Sequence, residues 1–308
     1  MLSTDFAGFY HGKLLLTGEY FVLDGVPALA IPTRYGQSFQ VESTENPHLL
    51  WRALDAAGEP WIEQSFANGN LLQNSEDRVQ QRLSQLLDAC QKLSQRTDFS
   101  MRGLSVTARL DFDRHWGLGT SSTLVAFLAD WFGVNPYELL AATFGGSGYD
   151  VACAKADGPI VYTRQGARPQ VQRMGWRPAW LGHTYFVYLN QKQNSRDGIR
   201  AYRSKNVDST AAERISELTY ALLQTGLHLR AAAQILHEHE QIVAQTLGME
   251  AVQGRLFPDF PGQIKSLGAW GGDFIWALSE RPAAEIRAYF NGRGYQTVIP
   301  YDEMIYQQ

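Results

Sequence analysis

The segment Gly117-Leu-Gly-Thr-Ser-Ser122 constrains this chain more than any other. It follows Leu104, Val106, Ala108 and Leu110, which alternate with polar neighbours and predict a half-buried strand. It precedes Leu124, Leu128, Trp131 and Phe132, whose spacing predicts a helix. A strand, a glycine-bearing loop and a helix in that order can make an anion site. The glycines admit close backbone approach, the helix start offers unpaired N–H groups, and three hydroxyls add donors. A turn with a serine cap produces the same pattern with no ligand, so this segment alone leaves both readings open. Neither Gly-x4-Gly-Lys-Ser/Thr nor a complete Gly-x-Gly-x-x-Gly occurs, which excludes the Walker and dinucleotide patterns.

The rest of the chain alternates strands and helices. Lys13 to Leu23 reads as a strand, Asp24-Gly25 as a two-residue hairpin turn, and a second strand follows, ending near Pro32. Residues 41–74 read as strands with loops. Val79, Leu83, Leu86, Leu87, Cys90 and Leu93 predict a helix over 76–95, with Glu76 and Asp77 in its first turn where the dipole favours them. Asn135-Pro136 opens another helix, which stops at Gly145-Gly-Ser-Gly148. Beyond a weakly marked boundary near 166 come an apolar strand, Thr184 to Leu189, and helices over about 208–225 and 228–247. Lys265 to Ala277 places a Gly-rich turn before an apolar strand.

At 308 residues and 44% hydrophobic, the chain can bury the core of one large or two moderate domains. Its 27 basic and 31 acidic residues, without a long basic run, exclude nucleic acid as a partner. Cys90 and Cys153 cannot form a disulfide framework and suit a reducing compartment. Met1 to Lys13 lacks the pattern of a signal peptide, and no run approaches the ~18 apolar residues of a membrane span. The expectation is a soluble, cytoplasmic protein.

Three segments, in order along the chain, resemble the motifs of the GHMP kinases (galactokinase, homoserine kinase, mevalonate kinase, phosphomevalonate kinase). Gly12-Lys-Leu-Leu-Leu-Thr-Gly-Glu-Tyr-Phe-Val-Leu23 is similar to the first motif and Gly117-Leu-Gly-Thr-Ser-Ser-Thr123 to the second. Lys265-Ser-Leu-Gly-Ala-Trp-Gly-Gly-Asp273 is similar to the third, and Gly146-Ser-Gly-Tyr-Asp-Val-Ala152 resembles the segment carrying the family's catalytic aspartate. The resemblance frames almost the whole chain and implies an α+β fold. Residues 1–166 would form a nucleotide-binding domain of the ribosomal-protein-S5-domain-2 type and 167–308 a ferredoxin-like domain, with the active site between them. It implies transfer of phosphate from ATP, with Mg2+, to a small metabolite. Gly-Glu-Tyr-x-Val-Leu-Asp-Gly and Gly-Tyr-Asp-Val-Ala look most like phosphomevalonate kinases of isoprenoid biosynthesis. That puts phosphomevalonate ahead of mevalonate, and a bacterial group marked by Gly-Tyr-Asp-Ile-Ala is also similar. A diphosphomevalonate decarboxylase and a non-catalytic nucleotide-binding regulator share the implied fold and stand as alternatives. The implied partners are small molecules, with no nucleic acid and no membrane; the oligomeric state is open, a homodimer included.

The resemblance assigns the base to Asp150 and the cation that keeps it ionised to Lys13. ATP falls to Gly117, Leu118, Gly119, Thr120, Ser121 and Ser122. The substrate side takes Glu19, Tyr20, Gly268, Ala269, Gly271 and Gly272, and Mg2+ takes Ser121 and Glu138. Lys192, Ser195 and Arg196 follow an apolar strand, and loop cations of this kind can hold a phosphate. Residue chemistry leaves second readings beside these. Asp150 suits a helix N-cap, Asn135 with Glu138 a capping box, Lys192 and Arg196 a solvated loop, Glu19 and Tyr20 a polar strand end. Trp270 and Asp273 replace glycines of the third motif, which would narrow that loop and place negative charge near phosphates. His237 and His239 stand two apart on a helix, point about 200° apart around its axis and cannot share a metal, so His237 to Glu240 reads as a solvated face. Ser147 lacks the last glycine of a nucleophile elbow, which argues against a serine hydrolase.

Overall fold

The first two strands organise the N-terminal half. β1 (Phe6–Leu15) pairs antiparallel with β2 (Ala28–Ser43) in the computed structural model. That structure describes residues 5–66, 77–94, 100–192, 195–205, 207–270 and 272–308, with Ser195 described by its backbone only. The connection is not the expected hairpin, and β2 runs beyond Pro32 to Ser43. Gly18 (φ 81°) and Tyr20 (φ 64°) adopt left-handed backbone that no strand contains. Phe21–Asp24 then forms a 3-10 turn closed by Gly25, also left-handed at φ 84°.

β3 (Leu49–Leu54) and β4 (Pro60–Phe66) form an antiparallel pair. Asp77 caps α1 (Arg78–Leu93) by accepting from the N–H groups of Val79 and Gln80. β5 (Leu104–Leu110) lies antiparallel to β2 and parallel to β3. After α2 (Thr120–Phe132), α3 (Pro136–Thr143) and α4 (Tyr149–Cys153), the hairpin β6 (Ile160–Thr163) and β7 (Gln170–Arg173) completes the sheet. The strand order is β4-β3-β5-β2-β6-β7, with β1 on β2. Apolar faces of α1, α2 and α3 pack on this sheet around Phe39, Leu86, Val106, Phe127 and Trp131. Phe39 and Phe127 stack with ring centroids 4.2 Å apart.

Residue 166 lies in the turn between β6 and β7, and the chain crosses to a second sheet between Arg173 and Thr184. There follow β8 (Thr184–Tyr188), α5 (Ser195–Arg203), α6 (Ser209–Leu222), α7 (Leu229–Leu247), α8 (Val252–Leu256), β9 (Gln263–Ser266), β10 (Phe274–Leu278), α9 (Ala283–Asn291), β11 (Val298–Pro300) and α10 (Tyr301–Met304). The sheet is antiparallel in the order β11-β8-β10-β9, the ferredoxin-like split β-α-β arrangement that the motifs imply. One core cluster joins the two sheets, bringing Leu14 and Ile31 together with Phe186, Trp276 and Met304. The C-terminal segment returns to the first sheet, where Tyr306 stacks on His11 and its N–H donates to the Pro32 carbonyl. This packing sets the cleft between the sheets. No helix among the described residues is long and apolar enough to cross a membrane.

Candidate active site

The phosphate-loop segment connects β5 to α2 and bends at Gly117 (φ 68°) and Gly119 (φ 99°). Gly119 is the N-cap of α2 and supplies no side chain, so the start of a 13-residue helix faces the cleft without side-chain capping. The loop is tied down from below. Leu118 is fully buried, Ser122 donates to the Gly119 carbonyl at 2.7 Å, and Thr123 donates to Gln37 at 2.8 Å. Thr120 and Ser121 keep accessible surface. β1 is stitched to the same loop, since the Lys13 N–H donates to the Leu118 carbonyl at 2.9 Å and its Nζ to the Gly117 carbonyl at 2.8 Å.

A cleft of about 230 Å³ brings Lys13, Gly117, Gly119, Thr120, Ser121 and Ser122 together with Tyr20, Asp150, Lys192, Gly268, Ala269 and Asp273. Asp150 lies in the first turn of α4, whose N-cap is Gly148. The capping alternative for Asp150 is therefore not the one the structure adopts. Its carboxylate accepts the Val151 N–H at 3.1 Å and lines the cleft. Burial raises the Asp150 carboxyl above the ordinary carboxylate range, against the opposing pull of Lys13 and the adjacent N–H groups. A raised value makes a carboxylate a better proton acceptor. Tyr20 stacks on Tyr202, and burial, aided by Glu19, pushes its phenol up to about 12.

A second cavity, about 590 Å³, adjoins the first and shares Thr120 and Ser121 with it. Phe39, Trp51, Trp61 and Phe144 give it aromatic walls, and Arg78, Arg82 and Arg196 add positive charge. Arg196 stands 5.6 Å from the centre of the Phe144 ring. The structure thus separates two loop cations that sequence reasoning grouped: Lys192 lines the cleft and Arg196 the larger cavity.

Other expected residues fall elsewhere. Glu19 does not face the cleft; it is fully buried and accepts from Lys265. Glu138 is exposed on α3, where Asn135 caps its N–H, and it lines neither cavity. Gly272 is buried outside both linings, Gly271 lies outside the described residues, and nothing is assigned to the Ser195 side chain. Trp270, expected to narrow the third-motif loop, turns its side chain away into the apolar cluster of Tyr20, Phe21, Leu23 and Tyr202. Among the described residues no three His, Cys, Asp or Glu side chains form a metal cage. Among the cleft's oxygen-bearing side chains, Ser121, Asp150 and Asp273 suit a hard cation that takes its other ligands from phosphate and water.

Sequence reasoning placed α7 correctly over about 228–247 but missed one cluster on it and misread the face that carries it. His239 and Glu240 are not on a solvated face; both are buried, with Lys265 and Glu19, between α7, β9 and the loop after β1. Gly18 N–H donates to His239 Nε2 at 2.9 Å, and Ser266 donates to Glu240 through N–H and hydroxyl at 3.0 and 2.7 Å. Burial and Lys265 hold the His239 imidazole far below its usual value, so it is a neutral acceptor. The signal was the helical period: Ala232, Leu236, Val243 and Ala244 make the buried stripe of α7, and 239 and 240 fall inside it.

No family model matches the chain, and no curated protein matches it in sequence. Solved structures match it along nearly its whole length. The Lin0012 protein of Listeria innocua superposes with a TM-score of 0.74 at 16% identity, covering 96% of each chain. The mevalonate kinase of Methanococcus jannaschii gives 0.70 at 12% identity, over 96% of this chain and 98% of that one. The phosphomevalonate kinase of Streptococcus pneumoniae, solved with phosphomevalonate and AMPPNP, gives 0.68 at 15% identity over 94% and 97%. The fold is the one these two kinases share.

Proposed function

We propose that this chain is an ATP-dependent small-molecule kinase, with phosphomevalonate as its acceptor and mevalonate as runner-up. The observation that carries the reading is the meeting of two cavities at Thr120 and Ser121, with Lys13 and Asp150 in the smaller one. The aromatic and arginine-lined cavity suits a nucleoside. The loop Gly117 to Ser122 then carries the phosphates toward the cleft, where the acceptor lies beside Asp150. Magnesium, when bound, would neutralise phosphate charge, with Ser121, Asp150 and Asp273 as available oxygens.

Asp150 holds an acceptor hydroxyl by accepting its proton, and Lys13 stabilises charge on the transferring group. The phosphomevalonate assignment rests on the first-motif Tyr20 and the Gly-Tyr-Asp-Val-Ala segment, and is supported by Lys192 at the rim of the cleft. An acceptor that is already a phosphate presents an ionised oxygen, so Asp150 would then act more by positioning than as a base.

The test is calorimetric titration of ATP followed by coupled ADP release with phosphomevalonate and with mevalonate. Absence of ATP binding at millimolar concentration sinks the kinase reading. Turnover of mevalonate with none of phosphomevalonate transfers the assignment to the runner-up.

A further inference from the structure

Asp273 rests directly on the phosphate loop. A Cβ built on Gly117 would lie within 2.7 Å of both carboxylate oxygens, so the carboxylate is in contact with the glycine itself. Its backbone is held on both sides. The Asp273 N–H donates to the Gln191 carbonyl at 2.6 Å, and its carbonyl accepts from the Leu189 N–H at 2.8 Å. The residue sits at φ 53°, a left-handed conformation that aspartate and asparagine tolerate better than most side chains. The carboxylate is therefore presented to the cleft by a fixed backbone, in the same cavity as Lys13, Asp150 and Lys192.

A triphosphate lying along Gly117 to Ser122 brings several negative charges against this carboxylate. At contact distance the repulsion amounts to at least about tenfold in affinity, even at the screened dielectric of a protein surface. A divalent cation between the two reverses the sign. The carboxylate becomes an oxygen ligand, and magnesium is commonly held by one or two carboxylates together with substrate phosphates.

We propose that Asp273 makes nucleotide binding conditional on a divalent cation: it repels a bare triphosphate and ligates the metal of a metal-bound one. This rests on reading the loop as a nucleotide site.

Calorimetry of ATP with EDTA and with excess MgCl2, on wild type, Asp273→Asn and Asp273→Gly, tests it. Asparagine keeps shape and backbone preference while removing the charge, and glycine serves if the asparagine variant does not fold; melting curves report folding. The expected result is that both variants bind metal-free ATP at least about tenfold more tightly than wild type, while magnesium–ATP binds them no more tightly. The gain from magnesium then collapses. An equal gain from magnesium in all three proteins overturns the proposal and leaves the kinase reading standing. No ATP binding to any of the three, with or without magnesium, overturns both.

Discussion

Lys265 and Glu19, 246 residues apart in sequence, form an ion pair that solvent does not reach. Lys265 comes from β9 of the second sheet and Glu19 from the loop after β1. Glu240 Oε2 lies 4.0 Å from the same ammonium, and His239 accepts from Gly18 one residue before Glu19. The cluster thus clamps the loop that carries Tyr20 to the opposite lobe. The lysine of the third motif acts here on position, not on substrate.

Breaking this pair strands a charge in a site water cannot reach. Lys265→Met should cost about 3–5 kcal/mol of stability. The double variant with Glu19→Gln should lose less than the sum of the singles, since it removes the carboxylate that Lys265→Met alone strands most directly. Urea unfolding of the four proteins measures this; a Lys265→Met loss below about 1 kcal/mol contradicts a buried, structurally coupled pair.

Burial pushes the Glu240 carboxyl up to about 7, with Lys265 and Ser266 opposing. The folded protein therefore keeps this proton to higher pH than the unfolded chain, whose carboxyl ionises near about 4.3. The associated stability is complete below that lower value, is lost as pH rises toward about 7, and does not fall further above it. Glu240→Gln should remove this dependence. Its stability relative to wild type should improve between about pH 5 and pH 8 by up to about 3 kcal/mol. Unfolding curves whose difference is the same at both pH values would show that Glu240 does not titrate in the fold.

Asp150→Asn should fold normally, because Gly148 and not Asp150 caps α4. ATP affinity should persist while turnover of a hydroxyl acceptor drops by roughly 10² to 10⁴. A phosphate acceptor should show a milder loss. A variant that melts much earlier yet turns over normally per folded molecule would make the residue structural.

Arg196 stands over Phe144 in the larger cavity. If that cavity takes the nucleoside as proposed, Arg196→Ala should raise the Michaelis constant for ATP and leave that for the acceptor nearly unchanged, by removing a cation that sits over an aromatic wall of the cavity. The opposite split in steady-state kinetics would return Arg196 to the acceptor, where its place in sequence beside Lys192 had put it.

Local chemistry was legible without coordinates wherever neighbours in sequence supply the partners. The strand from Leu104 to Leu110, the Gly117–Ser122 loop and the Asn135 cap follow from alternation, glycine and a side chain reaching its own helix start. Lys13, Tyr20 and Asp150, singled out by their motifs, and Lys192, singled out by its place after an apolar strand, line one cleft. What the tertiary structure alone decided is the surroundings of each charge. A glutamate, a histidine and a lysine look solvated in a one-dimensional reading, since burial without a partner is costly. Glu19, Glu240 and Lys265 can be buried because distant elements supply their partners: Lys265 pairs with Glu19 and lies 4.0 Å from Glu240, Ser266 donates to Glu240, and the neutral His239 takes the Gly18 N–H. In the same way Trp270 turned into the core and Asp273 onto Gly117, two outcomes set by how the second sheet meets the first. Periodicity assigns a residue to a face, but the electrostatic partner waiting at that face comes from elsewhere in the chain.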